Sequence, residues 1–307
     1  MGNLLDYQVD ATLTQMSIAY PNGEFIGTKL MPRVEVQGRI GFYYVFDKSN
    51  FNIVDARRTG LSRANRITNG MTKAAFGPLN EQSLEEAIEY DVLKTYPSPH
   101  DARVDATESV TEGLNITLES EIAAKLTSGS VITQNVTLSG TDQFNDYANS
   151  DPFAVFQTGI DTVKAASGTT PNTLELGYQV WSKLRHHPDL LGRMSVASVR
   201  VLTAQMLADL IGVEQVLIGD AVYNTADEGQ TPVMGYIWGK HALLAHVTPK
   251  PGIKKMSLGY TLQVEGARYV DRWDEPAVKA EFVRANDYYE PKVVAVEAGY
   301  LILNAVA

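Results

Sequence analysis

The chain has 307 residues, 44% of them apolar, enough for one large domain or two modest ones with a real core. It contains no cysteine, which excludes a disulfide framework, a thiolate metal site and a cysteine nucleophile, and fits a reducing compartment. The formal net charge of −10 argues against a surface that coats nucleic acid generally, while leaving room for one face that tolerates phosphate.

The N-terminus, Met1-Gly-Asn-Leu-Leu-Asp-Tyr7, lacks a basic n-region and an apolar h-region, and no apolar run approaches the roughly 18–20 residues that span a bilayer. The expectation is a soluble protein made in the cytoplasm with no membrane partner. Over residues 1–37 apolar positions are scattered without a period, and Pro21-Asn22-Gly23 and Pro32 interrupt them. A short helix fits about Asp10 to Tyr20. The rest reads either as an arm that packs on something else or as a loosely ordered terminus.

Arg39-Ile-Gly-Phe-Tyr-Tyr-Val-Phe46 has the aromatic and β-branched content of a strand. Residues 48–80 are polar, Asn-rich and punctuated by Gly60, Asn69-Gly70 and Gly77-Pro78, with Asn69-Gly70 suited to a tight turn. So long a weakly hydrophobic excursion within a compact domain is usually functional or disordered. Its charges are segregated. Arg57, Arg58, Arg63, Arg66 and Lys73 stand against Asp55 alone, and an acidic block of Glu81, Glu85, Glu86, Glu89 and Asp91 follows. Within one subunit this describes a solvated hairpin beside a solvated helix. Between subunits, a basic projection meeting an acidic neighbour would steer docking and fix register.

From Asp101 the period becomes helical: Val104, Val110, Leu114, Leu118, Ile122 and Leu126 are apolar, and Glu108, Glu112, Glu119 and Lys125 lie elsewhere around the helix. Thr127-Ser-Gly129 ends a rod of roughly 26 residues, or about 39 Å, suited to lying across a sheet. Gly113 within it marks a bend or a close contact. Residues 130–151 read as a polar connection, and Asp151-Pro152 as the cap and first turn of a helix with Phe153, Phe156, Ile160 and Val163 inward. Short strands then alternate with helices: strand 173–176, helix 178–186 stopped by Pro188, helix 203–211, and strands 214–218, 233–238 and 242–247. From Gly259 apolar and polar residues alternate in Tyr260–Glu265 and Lys279–Arg284, as in half-buried antiparallel strands, with Asp271–Pro276 as a turn between them. Lys292–Val306 is apolar enough for buried strands.

Motifs that carry chemistry are missing from this pattern. Gly239-Lys240 is followed by His241 and lacks the glycine spacing of a phosphate loop, and there is no nucleophile elbow or dinucleotide fingerprint. His186 and His187 cannot point one way on a helix, and a helix-end role fits them better than metal ligation. His241 and His246 fall on opposite faces of a strand, and His100 stands alone. The loop Asp220–Gly229 is oxygen-rich but misses the calcium-loop spacing, which leaves a solvent-facing loop at a subunit junction. Trp181, Trp238 and Trp273 read as core or interface anchors. No catalytic, cofactor-binding or metal residue is assigned; a cytoplasmic α/β enzyme with a dispersed carboxylate site is the rival reading from another class.

Several segments, in order along nearly the whole chain, resemble the major capsid proteins of tailed bacteriophages of the Hong-Kong-97 type. They are Tyr43–Lys48, Glu85-Glu-Ala-Ile-Glu89, Asp101-Ala-Arg-Val-Asp-Ala-Thr107, Asn172-Thr-Leu-Glu-Leu-Gly177, Arg185-His-His-Pro-Asp189, Val216–Ala226, Tyr236-Ile-Trp-Gly-Lys240 and Lys292–Tyr300. The resemblance implies an α+β fold. Residues 1–37 would be an N-terminal arm and 38–90 an extended loop (the E-loop) reaching over the adjacent subunit. Residues 91–140 would be a peripheral domain with spine helix 101–127, joined by strands within 250–290. An α/β axial domain over 141–249 would be closed by a C-terminal strand in 291–307. It implies pentameric and hexameric capsomers of an icosahedral head enclosing double-stranded DNA, assembled in the host bacterial cytoplasm and present in the virion. The partners would be a separate scaffolding protein, since the arm starts at Met1, a portal and a decoration protein, the last left open by the sequence. Arg57, Arg58, Arg63, Arg66, Lys73, Glu81, Glu85, Glu86 and Glu89, with Asp220, Tyr223, Asn224 and Asp227 of the axial loop, would be subunit-interface residues. An encapsulin-like nanocompartment shell is the alternative within the same fold.

Overall fold

The computed structural model describes residues 22–46, 48–60, 63–67, 70–95, 102–194, 201–227, 229–252 and 255–307. The helix expected over Asp10–Tyr20, and Asn69 of the expected turn, lie outside them. The helices are α1 (Gly27–Leu30), α2 (Tyr90–Thr95), α3 (Ala102–Leu126), α4 (Pro152–Ser167), α5 (Tyr178–Leu184), α6 (Pro188–Arg193) and α7 (Ala204–Ile211). The first strands are β1 (Arg33–Val36), β2 (Gly41–Phe46), β3 (Met71–Phe76), β4 (Asn80–Glu89), β5 (Asn135–Thr137), β6 (Thr173–Gly177) and β7 (Gln215–Gly219). Then come β8 (Val222–Asn224), β9 (Met234–Tyr236), β10 (Ala242–Ala245), β11 (Gly259–Val264), β12 (Tyr269–Glu275), β13 (Ala280–Val293) and β14 (Gly299–Leu303).

The strand β13 organises the first, peripheral sheet. It runs 14 residues, about 47 Å at ~3.4 Å per residue. Along one edge it pairs antiparallel with β4, from Ala280 opposite Glu89 to Tyr289 opposite Asn80. Along the other it pairs first with β12 and then with β11, and β1 adds to β11 in parallel. Two expectations change here. The acidic run of β4, grouped by sequence with the extended loop over 38–90, is a sheet strand because β13 offers it a ten-residue pairing edge. Asp271–Pro276 is largely strand and not turn: Trp273 stacks on Phe282 at 5.4 Å and Arg284 grips Asp271 with two hydrogen bonds, so the chain reverses later, where Lys279 takes a φ of 56°.

The second, axial sheet has the order β5-β14-β10-β6-β7, with parallel pairs at both ends and antiparallel pairs between. Its central strands are buried on both faces, hence their nearly continuous apolar sequence. Leu174, Leu176, Ala242, Leu244, Tyr300 and Ile302 face a core roofed by α4, α5 and α7. Leu217, Leu243, Ala245 and Leu301 face the opposite layer. The caps expected at Asp151-Pro152 are present: Asp151 Oδ1 accepts the Ala154 amide at 2.9 Å, and Gly168 closes α4 at a φ of 76°. Pro188 departs from expectation. The helix before it ends at Leu184, and Pro188 opens α6 at the first turn, where its missing N–H costs nothing. His187 caps α6, its Nδ1 accepting the Asp189 amide while its Nε2 pairs with Ser150 at 3.0 Å. The polar connection before α4 hides three anchors, Ile132, Leu138 and Phe144, the last fully buried 5.6 Å from the Phe156 ring.

The long helix α3 joins the two sheets. Its buried residues Ala106, Val110, Leu114, Leu118, Ile122 and Leu126 recur every four positions. Each such step overshoots a turn by about 40°, so the stripe winds roughly 200° around the helix. Its first half therefore packs with Ile88, Val283 and Ala285 of the peripheral sheet. Its second half enters the axial layer, together with Ile26, Leu30 and Met31 of the arm. Val104, expected in the stripe, is exposed, and Ala106 takes its place. Gly113 marks a close contact: a Cβ there would sit 2.8 Å from Leu84 Cδ1.

Candidate subunit interface

The strands β2 and β3 form a hairpin with Gly41 opposite Phe76 and Phe46 opposite Met71, carrying residues 47–70 at its end. Gly41 is required because the Phe76 ring fills the space a Cβ would take, at 2.5 Å. Strand alternation puts Phe42, Tyr44, Met71 and Lys73 on one face. Phe42 and Tyr44 meet edge to face at 5.7 Å, and the Lys73 ammonium lies 4.5 Å over the Phe42 ring. Lys73 thus belongs to this aromatic face and not to the arginine group.

All four of these side chains stand in solvent or half in it, and the loop beyond continues the pattern. Phe51 and Ile67 are 71% and 65% exposed and Ile53 is fully exposed, while Ile40, at the base of the hairpin, is 72% exposed. The base of the loop touches its own subunit, through Lys48 to Glu297 at 3.1 Å and through the Phe51 ring beside Gly168. Farther out, the described residues 52–60 and 63–67 are exposed throughout. Asp55 braces this segment, accepting the Arg57 amide with its side chain and the Asn65 side chain with its carbonyl. Arg57, Arg58, Arg63 and Arg66 all project from it in exposed positions. Soluble subunits rarely leave so many large apolar side chains uncovered, and such groups mark surfaces that another molecule covers.

The acidic run is divided by the strand period. Glu81, Glu85 and Glu89 lie on the sheet face turned away from α3, while Glu86 lies on the helix side. The outward face also carries the stacked Trp273 and Phe282, with the Arg284 guanidinium 4.7 Å over Trp273 and that of Arg39 4.9 Å over Tyr288. Glu81 bonds the Tyr288 hydroxyl and holds its pKa up, and the pairing with Arg284 holds Asp271 below the usual carboxylate range. This face presents carboxylates around flat rings.

The third group sits on the β8–β9 hairpin beyond the axial sheet. Asp220 Oδ1 accepts the Glu24 amide at 2.9 Å, and Asn22 exchanges two 3.0 Å hydrogen bonds with the Val222 backbone. Asp220 therefore ties down the arm of its own chain. The Asn224 side chain closes the hairpin by accepting the Ala226 and Val233 amides. The Asp227 carbonyl accepts the Gln230 amide. Tyr223 is left partly exposed opposite Gly235, and Val233 and Met234 of the same hairpin are exposed as well. The three groups thus stand on three different elements: the loop beyond β2, the outward face of the peripheral sheet and the β8–β9 hairpin.

Sequence reasoning missed one cluster. Glu119, placed by the period only off the apolar stripe of α3, is buried, and it accepts the Ile26 and Gly27 amides and the Trp238 indole N–H. Among the described residues no three histidine or acidic side chains gather to hold a metal, and no helix is long and apolar enough to cross a membrane.

Two sheets joined by one long helix, an arm threaded between them and a hairpin thrown outward define the Hong-Kong-97-type capsid fold. The chain superimposes on the crystal structure of a phage-related protein from Bordetella bronchiseptica with a TM-score of 0.73 at 23% identity, covering 93% of this chain and 94% of that one. On the mature capsid of bacteriophage PhiM1 the score is 0.59 at 13% identity, with 94% and 89% covered. A holo encapsulin complex from Synechococcus elongatus matches at 0.55 and 14% identity, with 96% and 94% covered, so the nanocompartment shares the fold. No family model matches the sequence. The major capsid protein of Burkholderia phage BcepMu is 31% identical over 312 residues with 98% of each chain covered, and that of Pseudomonas phage JBD67 is 25% identical over 318 with the same coverage. The chain belongs to the family of phage major capsid proteins and is a structural component of the virion.

Proposed function

We propose that the protein assembles into pentameric and hexameric capsomers of an icosahedral head around double-stranded DNA, without catalysing a reaction. The observation that carries this reading is the uncovered apolar and arginine-bearing loop at the end of the β2–β3 hairpin. In the proposed contact, Arg57, Arg58, Arg63 and Arg66 of one subunit approach the acidic, aromatic face of a second subunit's peripheral sheet, at Glu81, Glu85 and Glu89. Desolvated arginine–carboxylate and arginine–aromatic contacts of this kind give an interface register as well as affinity. The outward hairpin with Tyr223 would meet its equivalents at the capsomer centre.

Residues 1–37 would then act as the arm and 38–79 as the extended loop. The peripheral sheet, with its helix, and the axial sheet would form the two domains of the shell wall. A scaffolding protein, a portal, a decoration protein and assembly in the bacterial cytoplasm are proposed from the family relation alone. Removing residues 50–78 tests the loop assignment: a folded, soluble subunit that forms no closed shells under the electron microscope is expected. Normal shells from the deletion would overturn it.

A further inference from the structure

The junction of arm, long helix and axial sheet holds two carboxyl groups in apolar surroundings. Glu175, at the centre of β6, is fully buried, and neither of its oxygens has a hydrogen-bond partner. Its register neighbours are Leu217 on β7 and Leu243 on β10, so it enters the same layer as Ile26, Ile122 and Trp238. From α3, Glu119 reaches into that layer and binds three groups. Its Oε1 accepts the Ile26 amide at 2.9 Å and the Trp238 indole N–H at 2.7 Å, and its Oε2 accepts the Gly27 amide at 2.8 Å. These bonds cap α1 from outside and tie together arm, helix and axial module.

The other charged groups of the packed elements are engaged elsewhere. On the arm, Glu24 and Lys29 pair with each other at the surface, and Asp220 of the axial module accepts the Glu24 amide. On α3, Glu121 accepts from Gln82 and Lys125 donates to the Pro291 carbonyl. Just ahead of β10, His241 accepts the Asn304 amide through Nδ1, and burial lowers its pKa in favour of the neutral ring, so Glu119 is left as the charged neighbour of Glu175. Burying one bare carboxylate without a partner costs several kcal/mol, and a second beside it costs more, so such a group keeps its proton. Burial first, and the charge of Glu119 second, push the Glu175 pKa well above the ordinary carboxylate range. Burial also raises that of Glu119, against the opposing pull of its three hydrogen bonds.

We propose that Glu175 and Glu119 form an internal proton-binding site that controls the grip on the arm. With a proton on Glu175, the Glu119 carboxylate holds the Ile26 and Gly27 amides. Losing that proton sets two negative charges in one apolar layer and opens the junction. The sign follows from linkage. A carboxyl whose pKa is raised by folding gives stability that is complete below its unfolded value, and that stability is lost as pH rises through the folded value. The grip on the arm is therefore strongest below the ordinary carboxylate pKa and weakens as pH rises, until folded Glu175 has ionised.

The test is hydrogen–deuterium exchange at Ile26 and Gly27 in the full-length, unassembled protein across a pH series, with Glu175→Gln read at each pH to cancel the intrinsic chemistry. Between the ordinary carboxylate pKa and the raised value of folded Glu175, the wild-type to variant ratio should climb about tenfold per pH unit, and it should level off once Glu175 has ionised in place. Amides of α4 around Val163 should show no such rise. Superimposable wild-type and variant profiles would overturn the proposal, as would an equal rise in α4, which would mean whole-subunit opening. Should Glu175→Gln fail to fold, Glu175→Leu, matching Leu217 and Leu243, serves as the reference with the same two outcomes. The readout needs no shell, so its failure is separable from failure of the loop deletion.

Discussion

Replacing Ile53 and Ile67 together by Ser separates a loop built for a partner from one that stabilises its own subunit. Both side chains are exposed in the subunit, Ile53 completely. Removing them therefore forfeits almost no intrachain burial, and the melting temperature should stay within about 1 °C, since surface substitutions usually shift stability by under ~0.5 kcal/mol. If a neighbour covers both, each lost isoleucine removes roughly 1.5–3 kcal/mol from every loop contact, about 3–6 kcal/mol for the pair. At about 1.4 kcal/mol per tenfold, the protein concentration needed for assembly should rise by two to four decades. Size-exclusion chromatography and negative-stain microscopy over a dilution series read the threshold, and differential scanning fluorimetry reads the subunit. An unchanged threshold would refute the covering role. A fall of several degrees in melting temperature at an unchanged threshold would show that the loop packs on its own body instead.

Reversing Arg57, Arg63 and Arg66 to Glu should slow assembly strongly in dilute salt and much less near 1 M, where the screening length shrinks to ~3 Å; light scattering follows the rate. Phe156→Ala should cost about 3–5 kcal/mol by opening a cavity beside Phe144 in the axial core, and urea unfolding measures it. Gly113→Val should destabilise by roughly 1–3 kcal/mol through its clash with Leu84, and Leu84→Ala in the same chain should restore much of the loss, a coupling a double-mutant cycle isolates.

Local signals survived into the structure wherever the partner of a residue lies close in sequence. The Asp151-Pro152 cap needs only the amide three residues on, and the long helix expected over 101–127 spans Ala102–Leu126. Signals failed where the partner lies far away. The run Glu81-Gln-Ser-Leu-Glu-Glu-Ala-Ile-Glu89 has no alternation of its own, because its strand character comes from β13 some 200 positions later. Glu119 read only as a residue off the apolar stripe, since Trp238 and the Ile26 amide are invisible from the helix. Pro188 stops one helix in any local reading, and only the His187 cap shows that it starts another. The arginines of the loop were legible as a charge segregation, whereas the division of the acidic block between two sheet faces required the register.

The charge distribution also bears on why such a loop does not simply aggregate. The chain carries −10 overall, yet Arg57, Arg58, Arg63 and Arg66 share the loop that exposes Ile53 and Ile67. Two subunits meeting body to body bring like charge together, and the encounter is repulsive over a Debye length of about 8 Å. Two loops meeting tip to tip are repelled as well, by Arg57, Arg63 and Arg66 on each. Under the proposed docking, only a loop approaching a body joins opposite charges, and only then do Ile53 and Ile67 find cover. The apolar contact supplies most of the affinity and is indifferent to direction. The flanking charges make one of the three encounters favourable, and that one is head to tail, the type of contact whose repetition closes a ring when the rotation allows.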